Sequence, residues 1–328
     1  MSVRLLKQIV CSLLALLVIG FALYFYRIYY LLNKPMAEGV VDILEIKPSS
    51  SANALVQQLF DRNLIYSNQL VLNYIKYKHL ANRLKAGVYE IKPNESVIQL
   101  LDRIVDGDVL VLAFRIIEGT TQNQVTQNLQ QAPYLAFNPD DWKLVQGNYS
   151  SPEGLLLADT YHYDGGSDAK KLLQTANKSL LNYLGTSWNN RDPELPYKSS
   201  YEMLIAASII EKETALSEER KIISGVMVNR INKHMPLQMD PTVIYALGPD
   251  FKGRLSHPDL AINSPYNTYR YRGLPPTPIA MVGKDAIDAA AHPQKSNYLY
   301  YVAKGDGSHE FSTNYRQQLE AISRYLHK

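Results

Sequence analysis

The chain has 328 residues, of which 46% are apolar and 20% are charged, so wholesale disorder is excluded. The formal net charge is only +3, and without a Lys/Arg block in the sequence we expect no nucleic-acid partner. The single cysteine, Cys11, excludes an intrachain disulfide and a cysteine-based zinc site. The 24 tyrosines against 7 phenylalanines suit sugar contacts, but tyrosine is also an ordinary residue of strands.

The first predicted element is a membrane-spanning helix. Residues 8–26 carry no formal charge and are bounded by Lys7 and Arg27. As a helix they extend roughly 28 Å at about 1.5 Å per residue, close to the thickness of a bilayer's hydrocarbon core. Aromatic residues crowd the end of the segment, as expected where a helix meets lipid headgroups; they are Tyr24, Phe25, Tyr26, Tyr29 and Tyr30. We predict a transmembrane helix over 8–27, preceded by a short terminus (1–7) and followed by a linker (28–39).

Two alternatives to an anchor are a cleaved signal peptide and a buried core helix. Gly20-Phe21-Ala22 offers small residues at a cleavage spacing, but aromatic residues continue past it, where a signal peptide should turn polar. Charge does not decide the orientation, because basic residues flank the segment on both sides.

Residues 40–94 form the next predicted unit. Residues 40–46 are strand-like, serines at 49–51 precede a helix with apolar residues at helical spacing, a second helix covers 68–77, and 86–91 return as a strand. This β-α-α-β order resembles the LysM module, a small glycan-binding fold, and we predict a LysM-like subdomain over 40–94; the alternative is any small α+β subdomain. The predicted fold class is α+β, with a mixed α/β domain over 95–328 after this subdomain.

That second domain begins with a predicted helix over 97–104 and a strand over 109–117. Residues 118–121 then form a turn and cap a further helix. The segments 148–152 and 165–168 are predicted loops, and the Gly165-Gly166 pair lacks the spacing of a phosphate-binding loop.

The segment from Tyr201 to Thr214 is the strongest candidate for chemistry. Residues 203–210 are apolar on every side of a helix, which predicts a buried helix ending in Glu211 and Glu213. A carboxyl at the edge of such a helix is desolvated, so its pKa rises toward the value that a general acid needs. On the local pattern alone, two ordinary solvated or salt-bridged glutamates are the better reading, and the helical wheel does not choose between them.

Further motifs follow in a fixed order. The series begins with Ala207-Ser208-Ile209-Ile210-Glu211-Lys212-Glu213-Thr214 and continues with Gln238-Met239-Asp240-Pro241-Thr242, Pro265-Tyr266-Asn267-Thr268-Tyr269, Gly273-Leu274-Pro275-Pro276, Ala290-Ala291-His292-Pro293 and His309-Glu310-Phe311-Ser312. Together with the segment from Glu153-Gly154 to Asp159-Thr160-Tyr161, this series closely resembles the endolytic murein transglycosylase (YceG-like) family. The resemblance covers nearly the whole chain.

The resemblance implies a single-pass inner-membrane protein with a cytoplasmic N-terminus and its bulk in the periplasm, cutting peptidoglycan strands internally. It also implies glycan-polymerising synthases as possible partners and no cofactor. The family's catalytic glutamate maps onto Glu211. Met239, Ala158 and Gln318-Leu319 depart from the family pattern, which puts those side positions in doubt but leaves the Glu211 motif intact.

The implied reaction breaks the β-1,4 bond between N-acetylmuramic acid and N-acetylglucosamine and leaves a 1,6-anhydro end. One carboxyl, Glu211, suffices as acid and then base, because the nucleophile is the sugar's own C6 hydroxyl. Tyr266 and Asn267 are the first candidates for holding the sugar. The other predicted substrate-binding residues are Asp240, Gln238, Ser208, Glu213 and His309.

Three rival functions stay open. A hydrolytic muramidase would use Asp240 or Glu213 as a second carboxylate to act with water. A membrane-anchored glycan-binding scaffold would have no activity, and Glu211 would be structural. Metal catalysis is the weakest rival, because the seven histidines are scattered and never spaced like paired zinc ligands, so we predict no metal site.

Overall fold

The computed structural model describes residues 3–36 and 42–325. The first helix, α1, spans Val3–Asn33. In the described part of the chain, only its portion Lys7–Asn33 is long and apolar enough to cross a membrane, and none of its most apolar window is buried against the rest of the chain. A buried core helix is therefore the wrong reading of this segment, which is consistent with a single-pass membrane anchor.

The predicted linker over 28–39 is wrong in its first half. Residues 28–33 continue α1, and the Leu32 side chain is only 4% exposed because it packs into the core of the following subdomain. Ile28 and Met36 pack against the same core. The rest of the predicted linker, from 37 on, and the first two residues of the strand predicted from 40 lie outside the described residues.

The predicted β-α-α-β order is confirmed. It consists of β1 (Asp42–Ile46), α2 (Ala52–Asp61), α3 (Asn68–Tyr77) and β2 (Gly87–Ile91). The strands pair antiparallel with Leu44 opposite Tyr89, and both side chains are fully buried. Ser51 caps α2, since its hydroxyl accepts a hydrogen bond from the Ala54 N–H at 3.1 Å. The specific likeness to LysM remains a prediction.

The boundary predicted between residues 94 and 95 falls inside this first unit. Helix α4 (Val97–Asp106) turns Leu100, Leu101 and Ile104 into the same core as β1 and β2, so it cannot belong to a separate domain. The first compact unit comprises Met1–Leu112 and Tyr163–Ser167, and the second comprises Ala113–His162 and Asp168–Lys328. The chain passes between the units along β3 (Val111–Arg115) and β4 (Thr160–Asp164), which pair with each other.

The second unit is mainly helical. Its helices are α5 (Gln122–Gln131), α6 (Lys143–Gln146, preceded by a 3-10 turn at Pro139–Trp142), α7 (Lys170–Asn189), α8 (Ser200–Glu213), α9 (Ser217–Asn232), α10 (Asp240–Leu247), α11 (His257–Leu260), α12 (Lys284–Ala291) and α13 (Tyr315–Tyr325). A hairpin of β5 (Tyr300–Ala303) and β6 (His309–Ser312) precedes α13. The α+β class is confirmed in its mixed helix and strand content.

Helix α8 lies at the centre of the second unit. Every residue from Met203 to Ile210 is at most 3% exposed, as its apolar sequence predicts. The helix packs against α7, α9, α10 and α12. Such a helix is rigidly held on all sides, so the side chains at its C-terminal end have fixed positions.

The segment of residues 279–283 fixes the surroundings of that end. The Ile279 N–H donates to the Ser208 hydroxyl at 3.0 Å, which ties the segment to α8. On its other side, the Met281 N–H donates to the Thr120 carbonyl at 2.7 Å, and the Gly119 N–H donates to the Met281 carbonyl at 2.9 Å. The segment therefore brings the turn after β3 close to the end of α8.

Candidate active site

The carboxyl group of Glu211 is buried and held on both oxygens. Its Oε1 accepts a hydrogen bond from the Arg220 guanidinium at 2.8 Å, and its Oε2 accepts one from the Gly283 N–H at 2.9 Å. The side chain is 2% exposed. Burial raises the pKa of Glu211 above its usual value, while the Gly283 N–H and the Arg220 charge oppose that rise and the nearby acids Glu118 and Asp285 add to it.

An open pocket of about 370 Å³ lies beside this carboxyl group. Two of the lining residues, Arg220 and Gly283, are the direct partners of Glu211. The absence of a side chain at Gly283 leaves room in the site, because a Cβ there would lie 3.0 Å from the Glu118 Cγ and 3.5 Å from the Glu211 Oε2. The full lining is Glu118, Ala158, Asp159, Arg220, Gly283, Lys284 and Asp285. The acid therefore lies at the edge of a polar cleft large enough for part of a sugar.

Three predicted site residues meet elsewhere, in a group that we call the Tyr301 cluster (Glu213, Asp240, Tyr301 and His309). The Tyr301 hydroxyl donates to the Glu213 Oε1 at 2.7 Å, while the Glu213 Oε2 is buried without a partner. Burial raises the pKa of Glu213 to about 7; the Tyr301 hydrogen bond and the His309 charge lower it, and the Asp240 charge raises it. Among the described residues, no hydrogen bond joins Glu211 to this cluster.

The remaining members of the Tyr301 cluster are also engaged. His309 Nδ1 lies 2.6 Å from a carboxyl oxygen of Glu219, whose other oxygen accepts from the His309 backbone N–H at 2.8 Å. Asp240 accepts a short hydrogen bond from the Tyr269 hydroxyl. The pairings fix these side chains within the protein, and none of the three predicted residues lines the pocket beside Glu211.

Tyr266 belongs to a third group, which includes the buried acid Glu153. Glu153 lies in the motif series, but the sequence predicts no role for it. The Tyr266 hydroxyl lies 2.8 Å from that of Thr277, and the Tyr266 ring lies 4.9 Å from the ring of Tyr245. Tyr245 donates to the Glu153 Oε2 at 3.1 Å, and the Gln122 N–H donates to Oε1 at 2.9 Å. Burial of this side chain, 4% exposed as a residue, raises the pKa of Glu153 to about 7.

Three predicted substrate-binding residues are engaged within the protein itself. Ser208 and Asn267 are both 0% exposed. The Ser208 hydroxyl donates to the Ile205 carbonyl, and the Asn267 amide donates to the Leu260 and Ile262 carbonyls. The side-chain amide oxygen of Gln238 accepts a hydrogen bond from the Arg230 guanidinium at 3.0 Å. Sugar contact by these residues is untested, and this geometry gives each of them a structural role.

The residues that surround Glu211 were mostly missed in the sequence. Arg220, Gly283 and Asp285 had no assigned role, and Glu118 was assigned only to a turn. They come from separate segments, and only the packing of 279–283 between α8 and the Gly119 turn joins them. The one usable signal was the Glu118-Gly119 pair directly after a strand, a position where loops often carry functional side chains.

Metal binding gains no support from the described residues, since no three His, Cys, Asp or Glu side chains among them are grouped so as to hold a metal ion. The absence of a metal stays a prediction.

Comparison with known proteins places these features in a broader context. The model of the YceG-like family matches residues 44–324. An endolytic murein transglycosylase of Bacillus subtilis is 29% identical over 307 residues, which cover 86% of this chain and 84% of that protein. One of Streptococcus pneumoniae is 30% identical over 272 residues, covering 70% of this chain and 48% of that protein. A crystal structure of a putative yceG-like protein from Listeria monocytogenes is 28% identical, with a TM-score of 0.54, and is matched over 86% of this chain and 99% of its own.

Proposed function

The chain belongs to the YceG-like family, and we propose that it is an endolytic peptidoglycan lytic transglycosylase with Glu211 as its catalytic acid. The observation that carries this proposal is the position of one carboxyl group. Glu211 is buried enough to have a raised pKa, yet both of its direct partners line an open polar pocket. A proton donor in such a place can meet a substrate while being kept from bulk water.

The proposed reaction needs no second carboxylate. Protonated Glu211 donates to the leaving oxygen of N-acetylglucosamine as the C1–O bond of N-acetylmuramic acid breaks. The resulting carboxylate takes the proton of the muramic C6 hydroxyl as its oxygen bonds to C1, which closes the 1,6-anhydro ring and restores the acid. Because the nucleophile is part of the reacting sugar, its effective concentration is high. The Gly283 N–H stabilises the carboxylate form between the two steps.

The proposal extends to the protein's setting. The α1 helix would anchor the chain in the inner membrane, with the N-terminus cytoplasmic and both compact units periplasmic. The β-α-α-β subdomain would bind glycan in the manner of LysM modules. Cutting nascent strands would limit or terminate their elongation, and synthases that polymerise glycan would be the partners. The curated relatives named endolytic murein transglycosylase support the substrate class.

Product analysis tests the proposal. Purified glycan strands are incubated with wild-type protein and with Glu211→Gln, and the new chain ends are identified by mass spectrometry. We expect anhydro ends from the wild type and none from the variant. Glu213→Gln is the matched control, since it removes a second acid with a raised pKa two residues away on the same helix. Anhydro ends formed by a folded Glu211→Gln protein at more than about a tenth of the wild-type rate would refute the assignment.

Hydrolysis is the second candidate, and the geometry favours a new form of it. Glu118 and Asp285 line the pocket near Glu211, whereas the predicted second carboxylates, Asp240 and Glu213, do not. Either pocket acid would activate water as a general base. Reducing ends in place of anhydro ends would support this reaction.

A further inference from the structure

Arg220 is incompletely paired in the structure. One nitrogen of its guanidinium donates to Glu211, but its Nε is buried and has no hydrogen-bond partner. The side chain is 14% exposed and lines the pocket beside the acid. A guanidinium presents five N–H donors, and it binds a carboxylate best through two parallel hydrogen bonds. A buried donor without an acceptor is unfavourable, so this arrangement favours a rearrangement that supplies one.

The ion pair between Arg220 and Glu211 also opposes the proposed role of Glu211 as a general acid. A general acid must be neutral when the substrate is bound, whereas a contacting guanidinium favours the charged form. The other charged groups that face Glu211 are Glu118 from the turn after β3, and Asp285 from α12. Lys284 lines the pocket, while Lys212 on α8 is turned to the Gly119 carbonyl at 3.0 Å. Among the described residues, Arg220 is the only cation in an ion pair with Glu211.

We infer that Arg220 is a carboxylate-binding residue of the substrate pocket, and that its transfer from Glu211 to a carboxylate of the glycan substrate frees Glu211 to take up its proton. The inference deepens the proposed function and rests on it, because only a glycan-cleaving acid needs to be neutral at that moment. The incoming carboxylate has two effects: it removes the guanidinium from the acid, and its own negative charge in the pocket favours the neutral form of Glu211.

Peptidoglycan offers this carboxylate in two places. The lactyl group of a muramic sugar ends in a free carboxylate when no peptide is attached, and it becomes a neutral amide when one is. The stem peptides carry carboxylates of their own. Arg220 would recognise a carboxylate in either case. The two sources can be distinguished by preparing each kind of strand with its carboxylates intact or converted to neutral methylamides.

The experiment uses four substrates and the full-length protein in detergent. Denuded strands and peptide-bearing strands are each prepared with and without methylamidation, and kcat and KM for anhydro-end formation are measured. For the wild type, we expect amidation to lower kcat/KM about tenfold or more in at least one pair, since a hydrogen bond to a charged group is lost. The pair that responds identifies the source: denuded strands indicate the lactyl group, and peptide-bearing strands the stem peptide.

The variants separate recognition from a structural role. In Arg220→Gln the ratio between intact and amidated strands should fall to about one, and Arg220→Lys, which keeps the charge but not the planar fork, should give an intermediate ratio. Arg316→Gln is the matched control on α13, where the side chain is 87% exposed, and it should keep the wild-type ratio.

Two results overturn the inference. One is a wild-type enzyme that forms anhydro ends equally well on intact and amidated strands of both kinds. The other is an Arg220→Gln protein whose rate falls equally on all strands, so that the wild-type ratio persists. If the wild type forms no anhydro ends on any strand, the proposed function itself fails, and this outcome is distinct from both.

Discussion

The two acids at the end of α8 lie two residues apart and have different surroundings. Glu211 contacts a guanidinium and a backbone N–H, and both partners line an open pocket. Glu213 contacts the Tyr301 hydroxyl, and its second oxygen is buried without a partner. Burial raises the pKa of both groups, and of Glu153 as well.

The comparison shows that a raised pKa does not by itself identify a catalytic acid. Three glutamates in the second unit share that property, but only the partners of Glu211 line the pocket. What distinguishes Glu211 is its position beside the pocket together with polar partners that stabilise its charged form. An acid in the proposed reaction must exist in both forms and reach the substrate, whereas neither Glu213 nor Glu153 lines the pocket.

Removing the acid of Glu211 should produce the largest effect. We expect Glu211→Gln to lower the rate of anhydro-end formation by about a thousandfold, the middle of the range for a general acid and base, because the amide can neither give nor take the proton. Product formation is quantified by mass spectrometry, with circular dichroism to verify folding. A loss of less than about tenfold in a folded variant would contradict the assignment.

The pH dependence of stability tests whether burial raises the pKa of Glu213. Burial raises the pKa of Glu213 to about 7 in the folded protein from its ordinary value of 4.5, so the folded state retains a proton that the unfolded state releases between these values. Its stabilising contribution is therefore fully present below pH 4.5 and is lost as pH rises through 7, by on the order of 3 kcal/mol.

Glu213→Gln isolates this contribution. Relative to the wild type, the variant should gain about 2 to 3 kcal/mol in free energy of unfolding between pH 5 and pH 8. Urea unfolding followed by tryptophan fluorescence measures the difference, since Trp142 and Trp188 both lie in the second unit. A constant difference between the two proteins at both pH values would show that Glu213 is already ionised at pH 5.

Narrowing the pocket should have an intermediate effect. Gly283 has φ −83°, which alanine adopts without strain, but the added Cβ would meet the Glu118 Cγ at 3.0 Å and crowd the Glu211 carboxyl group. We expect Gly283→Ala to lower kcat about tenfold, because small displacements of a catalytic group are costly. Gly185→Ala is the control in α7, where a Cβ meets nothing within 4 Å, and it should retain full activity. Equal activity of the two variants would show that the space at position 283 does not determine the geometry of the site.

The smallest effect on activity is expected for Glu213 itself. Glu213→Gln keeps an acceptor for the Tyr301 hydroxyl and lies outside the pocket, so kcat/KM at pH 7 should change by less than about threefold. Steady-state kinetics with soluble glycan strands measures it. A loss of activity comparable to that of Glu211→Gln would mean that the Tyr301 cluster and the pocket beside Glu211 act together in the reaction.

The sequence predicts the elements better than it predicts the site. Residues 203–210 are apolar on all sides, and only a buried helix satisfies that pattern. Local polar signals were equally reliable, since Thr121 caps α5 with a capping box as its motif predicts. The predicted linker was wrong over residues 28–33, because Leu32 packs into a core formed by residues distant in the sequence, which a local pattern cannot show.

The pocket could not be predicted because it is built by tertiary packing. Arg220 has the local pattern of an ordinary residue in the first turns of α9, and Gly283 that of an unremarkable residue before α12. Only the hydrogen bonds of segment 279–283 bring them together at Glu211. In contrast, Asn267 has the polar loop surroundings of a ligand-binding residue, and its amide is used to hold the Leu260 and Ile262 carbonyls.

Digestion of glycan strands in water labelled with heavy oxygen is the most direct test of whether the nucleophile that Glu211 activates is the muramic C6 hydroxyl and not water. The account predicts that new ends appear as 1,6-anhydro sugars without the label, and that Glu211→Gln forms none of them. New reducing ends that carry the label would contradict it, because they would show that water, and not the C6 hydroxyl, attacks the muramic carbon.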